Sequence, residues 1–348
     1  ISRLHLRYMN KEILNKNAIF LSSPPKGILA ADESTSTISK RFDQINLISN
    51  FENRRKYREL LFSTNDLEKY ISGIIMYDET IRQEDSFGSN FVKLLKNKGI
   101  QSGIKVDTGA KKLIGTIDEK ITEGLDSLSE RMAEYAEMGA TFSKWRAVIS
   151  INENNPSDYC VNLNAHALAR YARIAQHHNI VPIVEPEVLM DGNHSIEMCL
   201  IATKKTLDAV FKELIFQGVY LGGILLKPNM IIAGINSPKK SSVDEVAAHT
   251  INCLKESVPQ EVPGIVFLSG GQSESLATQH LNIMNKQNEL PWNLSFSYGR
   301  ALQQPVILNW LGKKENIEKA QAALIKRSKL NSLATKADYN IEMESSVS

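Results

Sequence analysis

The stretch GGILLKPN, Gly222 to Asn229, closes a short apolar run on a lysine. Ile224, Leu225 and Leu226 read as a buried strand bounded by Gly and Pro. Pro228 holds Lys227 extended, because the proline ring clashes with a helical conformation at the residue before it. A charged ammonium buried without a partner costs several kcal/mol, so Lys227 at the end of such a run needs a reason.

The same form recurs along the chain. GILAAD from Gly27, GIIMYD from Gly73, GIKVD from Gly103, FSKWRAVI from Phe142, PIVEPEV from Pro182, GILLK from Gly223, GIVFLS from Gly264 and LSFSYG from Leu294 make eight strand cues. Helical signals lie between them. In LDSLSERMAEYAEMG, Leu125, Leu128, Met132 and Tyr135 follow a three-to-four spacing and Gly139 suits a C-cap. Ser242 and Glu245 form a capping box for a helix that must stop before Pro259. Eight strands alternating with helices, with no Gly/Ser/Pro-rich linker, predict an α/β chain folded as a single (β/α)8 TIM barrel. The rival, a pair of smaller α/β units, has no boundary in the sequence.

Length alone does not choose between them, since 348 residues suit two average domains or one large barrel. The single domain is expected over residues 1–337, including an N-terminal extension. The polar segment after Ala337, residues 338–348, is expected to be a flexible tail. With 42% hydrophobic and 23% charged residues the composition is that of an ordinary globular protein. A net charge of +2 and no long basic run give no reason to expect nucleic acid, and ENRRKYREL (Glu52–Leu60) reads as a solvated helix face. Cys160, Cys199 and Cys253 are odd in number and far apart, which suits a reducing compartment. No apolar run approaches the roughly 18 residues of a membrane span, and ISRLHLRYMNKEIL lacks the apolar core of a signal peptide. The expectation is a cytoplasmic protein.

In a (β/α)8 barrel the chemistry sits at the C-terminal ends of the strands. Those ends are charged here: Asp32, Lys105 and Asp107, Lys144 and Arg146, Glu185 and Glu187, and Lys227. Residues two apart on a strand share a face, so each of these pairs points to one side. Branched apolar side chains fill an ordinary barrel interior, and stability alone does not account for so much charge.

A strand-end lysine can simply snorkel to solvent. Its neighbours suggest more. At a pKa of about 10.4 only about one amine in a few thousand is free at pH 7; burial and cations such as Lys144 and Arg146, lowering it to about 8, would free roughly a tenth. A free amine can form a Schiff base with a carbonyl. Loss of water from the carbinolamine then needs a proton donor, and Glu187 and Glu185 lie on the adjacent run. The same two glutamates could instead be salt-bridge partners of Lys144 and Arg146, and both roles can coexist. LSGGQS follows the seventh strand, where backbone N–H groups and a helix N-terminus bind phosphate, although a plain turn reads the same way. Arg300 adds a planar donor for such an anion. DEST (Asp32–Thr35) offers hydroxyls after the first strand, or an ordinary N-cap. The histidines, including the adjacent pair His177 and His178, show no zinc-like spacing, so no metal is expected.

Taken in order, GILAADEST, GIKVDTGA, KWRAVI, PIVEPEVLMDG, LLKPNM, FLSGGQSE and FSYGRALQ resemble class I fructose-bisphosphate aldolase, the metal-independent Schiff-base lyase. The likeness runs from Lys26 to Ala334. It implies a (β/α)8 homotetramer without a cofactor that reversibly cleaves fructose 1,6-bisphosphate to dihydroxyacetone phosphate and glyceraldehyde 3-phosphate in glycolysis and gluconeogenesis. It makes Lys227 the imine-forming residue, Glu187 the acid and base of carbinolamine dehydration with Glu185 assisting, and Asp32 the handler of the C4 hydroxyl proton. Lys144 would stabilise developing charge and help depress the pKa of Lys227. Ser269, Gly270, Gly271 and Arg300 would hold the C1 phosphate, and Ser34, Thr37, Lys105 and Arg146 would line the path of the C6 phosphate. The resemblance also implies binding of actin or acidic peptides at a basic mouth. It has two departures. Animal members end in a tyrosine that reaches back to the site, whereas the last tyrosine here is Tyr339, which leaves activity on fructose 1-phosphate open. Thr37 stands where many relatives have serine and keeps the hydroxyl.

Overall fold

The computed structural model describes residues 9–152, 156–287 and 289–346; the first eight residues of the N-terminal extension and the last two of the tail lie outside that range. The strands are β1 (Gly27–Ala31), β2 (Ile71–Met76), β3 (Gln101–Lys105), β4 (Gly109–Lys112), β5 (Lys120–Glu123), β6 (Phe142–Ile149), β7 (Val181–Val188), β8 (Leu225–Leu226), β9 (Gly264–Phe267) and β10 (Asn293–Tyr298). Eight of them close a barrel in the order β1-β10-β9-β8-β7-β6-β3-β2. Neighbouring strands in it are parallel. All eight apolar runs of the sequence therefore supply a barrel strand.

The antiparallel hairpin β4–β5 is an addition that the sequence does not announce, because its strands, GAKK and KITE, carry no apolar run. The segment around Lys227 is also shorter as a strand than its composition suggests. Leu221–Gly223 form a 3-10 turn, and only Leu225 and Leu226 are laddered. Lys227 is nonetheless fixed to the sheet, since its backbone N–H donates to Val184 O at 2.8 Å. Pro228 has no N–H with which to continue the ladder.

The barrel interior is built in layers. Ile28, Ile75, Phe142, Val181, Ile183, Leu225 and Val266 pack inside it as one apolar cluster. Gly103 on β3 leaves room for the ring of Phe142 on β6, for a Cβ at Gly103 would lie 2.3 Å from that ring. The helix Lys11–Ser22 joins this cluster through Leu14, Ala18 and Leu21, which recur at helical spacing on one face. Asn10 caps it, accepting from Ile13 N at 3.1 Å. The helix thus plugs the N-terminal end of the barrel, and the charged layer is left at the other end.

The two helices expected from caps are both present. Leu128–Met138 ends on Gly139 at φ 99°, and Val243–Ser257 begins with both bonds of the Ser242/Glu245 box. The helix Phe51–Ser63 departs from its reading as a solvated face: Arg58 is only 2% exposed and pairs with Glu33 at 2.7 Å. A basic composition does not reveal that one arginine turns inward. At the other terminus, Tyr339 is buried; its hydroxyl donates to Glu344 Oε1 at 2.9 Å and its N–H to Asn282 Oδ1 at 2.9 Å. Glu344 in turn accepts from buried Arg327 of the helix Ile317–Ala334 at 2.6 and 2.7 Å. Among the described residues no helix is long and apolar enough to cross a membrane.

Candidate active site

Alternation on the barrel strands carries the apolar interior upward into the charged layer. Phe142 faces inward, and so do Lys144 and Arg146; Val181 and Ile183 lead in the same way to Glu185 and Glu187, and Leu225 leads to Lys227. Parallel pairing sets Lys144 beside Lys105 and Arg146 beside Glu185 in register. The result is a cavity of about 440 Å³ at the C-terminal mouth.

Within it, four side chains form a chain of alternating charge. Lys144 Nζ lies 2.8 Å from Asp32 Oδ2 and 3.2 Å from Glu185 Oε2, and Lys227 Nζ lies 3.1 Å from Glu185 Oε1. Lys227 is 4% exposed and Glu185 3%, so this is an interior network. Two further pairs flank it: Arg146 with Glu187, and Lys105 with Asp107 Oδ1 at 2.6 Å.

Burial pushes the Asp32 carboxyl up, yet the charges of Lys144 and Lys227 outweigh it and hold Asp32 well below the usual carboxylate range. Glu185 is lowered in the same way, burial being overcome by Lys144, Lys227 and Arg146. Lys144 is the reciprocal case. Desolvation pushes it down, and Asp32 and Glu185 raise it above the ordinary lysine value, so it stays cationic. The arrangement presents a central cation, two carboxylates able to accept protons, and an amine at the cavity wall.

Both expected anion sites open onto the same cavity. On one side Ser34 caps the helix Thr35–Asp43, accepting from Thr37 N at 3.4 Å, and its hydroxyl is 3.1 Å from that of Thr37. On the other side Ser269, Gly270 and Gly271 form the turn before the helix Glu274–Asn285. Gly270 has φ +54°, a left-handed conformation that favours glycine. Arg300, the first residue of the helix Arg300–Trp310, donates through Nη2 to Gly270 O at 3.1 Å and to Gln272 O.

Asp32, Ser34, Thr37, Lys105, Lys144, Arg146, Glu185, Glu187, Lys227, Ser269, Gly270, Gly271 and Arg300 all line this one cavity, whereas Asp107 lies behind Lys105 and does not. One ordering changes: the glutamate on Lys227 is Glu185, whereas Glu187 is engaged by Arg146. The sequence places both on one face but contains nothing that says which reaches the lysine. Arg41 and Ser297 also line the cavity and were missed. Arg41 had a signal, since positions 34, 37 and 41 share one helix face. Ser297 had none beyond its place two residues after Ser295 on β10; its buried hydroxyl has no partner among the described residues. Tyr339 is not among the lining residues.

A closed parallel barrel whose mouth joins a buried lysine, paired carboxylates and two helix-opening turns is the architecture of an enzyme. A family model described as fructose-bisphosphate aldolase class-I matches residues 13–348. The chain is 50% identical over 324 residues to cytosolic fructose-bisphosphate aldolase 4 of Arabidopsis thaliana, covering 93% of this chain and 82% of that one. It is 51% identical over 327 residues to a probable class 1 fructose-bisphosphate aldolase of Xanthomonas campestris, covering 94% and 98%. A solved fructose-bisphosphate aldolase of Plasmodium falciparum, in complex with TRAP and a small-molecule inhibitor, superposes with a TM-score of 0.94 at 50% identity, covering 95% of this chain and 96% of that one. The chain belongs to the class I fructose-bisphosphate aldolase family, and is a lyase.

Proposed function

We propose that Lys227 is the nucleophile of this aldolase, attacking the C2 ketone of fructose 1,6-bisphosphate. The observation that carries the reading is its placement: an amine 4% exposed, 3.1 Å from Glu185, in a cavity with an anion-binding turn on each side. The carbinolamine loses its hydroxyl as water with a proton passed through Glu185, leaving a protonated imine. Asp32 takes the C4 hydroxyl proton, the C3–C4 bond breaks, and its electron pair enters the imine to give an enamine. Glyceraldehyde 3-phosphate departs. Protonation of the enamine at C3 and hydrolysis of the resulting imine release dihydroxyacetone phosphate and the free amine.

Lys144 stays charged between Asp32 and Glu185 and offsets the negative charge each carries when deprotonated. Glu187, held by Arg146, acts in support, a reversal of the order that the resemblance implies. Ser269, Gly270, Gly271 and Arg300 take the C1 phosphate; Ser34, Thr37, Lys105 and Arg146 take the C6 phosphate. The test is borohydride reduction with and without fructose 1,6-bisphosphate, followed by peptide mass spectrometry. A substrate-dependent adduct on Lys227 is expected; its absence, or an adduct elsewhere, refutes the assignment.

The same reading includes a single domain with a short tail, a cytoplasmic site and a homotetramer. The naming of one relative as cytosolic supports the location. Exposed Ile201, Ile215 and Phe216 on the helix Ile196–Phe216 support an apolar contact surface, which light scattering tests. An acidic peptide or actin segment at the mouth is a secondary reading, favoured by the TRAP complex of the Plasmodium relative. Competition between such a peptide and substrate tests it.

A further inference from the structure

His280 lies on the inward face of the helix Glu274–Asn285 and is 1% exposed. Nothing in the reaction uses it. Its Nδ1 is 2.5 Å from Oε1 of Gln272, and its Nε2 has no partner among the described residues. An amide oxygen only accepts, so the imidazole donates through Nδ1–H. Burial pushes its pKa down to about 4, which keeps it neutral in ordinary buffers. Leucine or methionine at this position would fill the core without a stranded polar atom, and a buried polar group with half its bonding lost is costly.

The bond made in exchange lands on the phosphate turn. Gln272 is itself buried, and its amide nitrogen donates to Met230 Sδ at 3.5 Å, so both ends of the amide are engaged. Its backbone N–H closes the turn onto Ser269 O at 3.2 Å. Its backbone carbonyl is one of the two that receive Arg300, the other being that of Gly270. The turn that offers N–H groups to an anion and the guanidinium that completes the site therefore share one support.

We propose that His280 is a positioning residue for the C1-phosphate site: by fixing the side chain of Gln272 it sets the Ser269–Gln272 turn and the orientation of Arg300 before substrate arrives. The inference rests on the reading of Ser269, Gly270, Gly271 and Arg300 as that site. A site held in its binding geometry avoids the ordering cost at the moment of binding, and the phosphate is held in ground state and transition state alike. The loss is therefore expected in KM and not in kcat.

The experiment compares His280→Leu, His280→Asn, Gln272→Met and Arg300→Ala with the wild type, using fructose 1,6-bisphosphate and following kcat, KM and the melting temperature. His280→Leu keeps the bulk and removes the donor; about a tenfold higher KM with kcat within about twofold is expected. His280→Asn restores an N–H donor and should return KM to within about threefold of wild type, a rescue that core packing alone does not produce. Gln272→Met removes the acceptor from the other side and should reproduce the KM increase. An unchanged KM in His280→Leu or Gln272→Met overturns the proposal, so it stays testable even where one variant does not fold. Equal impairment of the Leu and Asn variants at equal melting temperature also overturns it. Arg300→Ala separates the two levels: if it leaves KM unchanged, the phosphate reading itself has failed; if it raises KM while His280→Leu does not, only the positioning role falls.

Discussion

Glu185 Oε1 lies 3.1 Å from Lys227 Nζ, while the other oxygen of the same carboxyl is 3.2 Å from Lys144. One side chain thus touches both the amine that would react and the cation that stays charged. Glu185→Gln keeps the shape and removes proton transfer, so kcat should fall by about 10² to 10⁴, with slower borohydride-trappable adduct formation. Glu187→Gln, which frees Arg146, should cost less in that trapping rate. Equal losses would return the leading role to Glu187.

Lys144 is the only cation in direct contact with both Asp32 and Glu185 among the described residues. Lys144→Met leaves two carboxylates facing each other in the interior, which raises the pKa of at least one. The expected outcome is a loss of kcat of at least about a hundredfold and a pH–rate profile whose acid limb moves upward. An unshifted acid limb would place the controlling group elsewhere.

The two turns proposed to take the phosphates follow different strands, β1 and β9, and substitutions on the two sides should differ by ligand. Arg300→Ala should weaken dihydroxyacetone phosphate about tenfold or more, the scale of one hydrogen bond to a charged group, and leave glyceraldehyde 3-phosphate less affected. Lys105→Met should show the opposite pattern. Inhibition constants for the two triose phosphates decide it.

Glu33 is buried and pairs with Arg41 at 2.6 Å and Arg58 at 2.7 Å. Burial raises its pKa, but the two guanidiniums outweigh that and hold it below the usual range. A carboxyl lowered in the fold adds stability that is fully present above its unfolded value of about 4.3 and is lost as pH falls through the folded one. Glu33→Gln should cost about 3 to 5 kcal/mol near neutrality and flatten the decline of the melting temperature below about pH 4.3. A variant with the same acid slope as wild type would show that Glu33 is not the linked group.

Leu21 in the plug helix is fully buried among Ile28, Phe142 and Leu225. Leu21→Ala should destabilise by about 2 to 5 kcal/mol. With the charged layer at the opposite end, KM at low temperature should not change. A matching loss of activity in folded protein would mean that the two ends are coupled.

The barrel was legible in the sequence because each of its strands is an apolar run closed by a distinct polar residue, and parallel strands buried on both faces must read that way. The hairpin Gly109–Glu123 was not, since its strands are half exposed and rich in lysine. The charged layer was visible as pairs spaced by two, yet spacing fixes a face and not a partner. That is why the positions of Glu185 and Glu187 were foreseeable and the contact of Glu185 with Lys227 was not. Arg58 teaches the same point in reverse: within one basic stretch, packing against Glu33 distinguishes the fully buried arginine from Arg54 and Arg55, which are half-buried and paired with other glutamates.

The apolar interior packed over the helix Lys11–Ser22 makes the molecule a cup and not a pipe. Liquid resting on the charged floor has no drain beneath it and can leave only past the rim. A sugar phosphate entering by that rim must push the liquid out through the gap it is itself closing. Arrival and drying become one event.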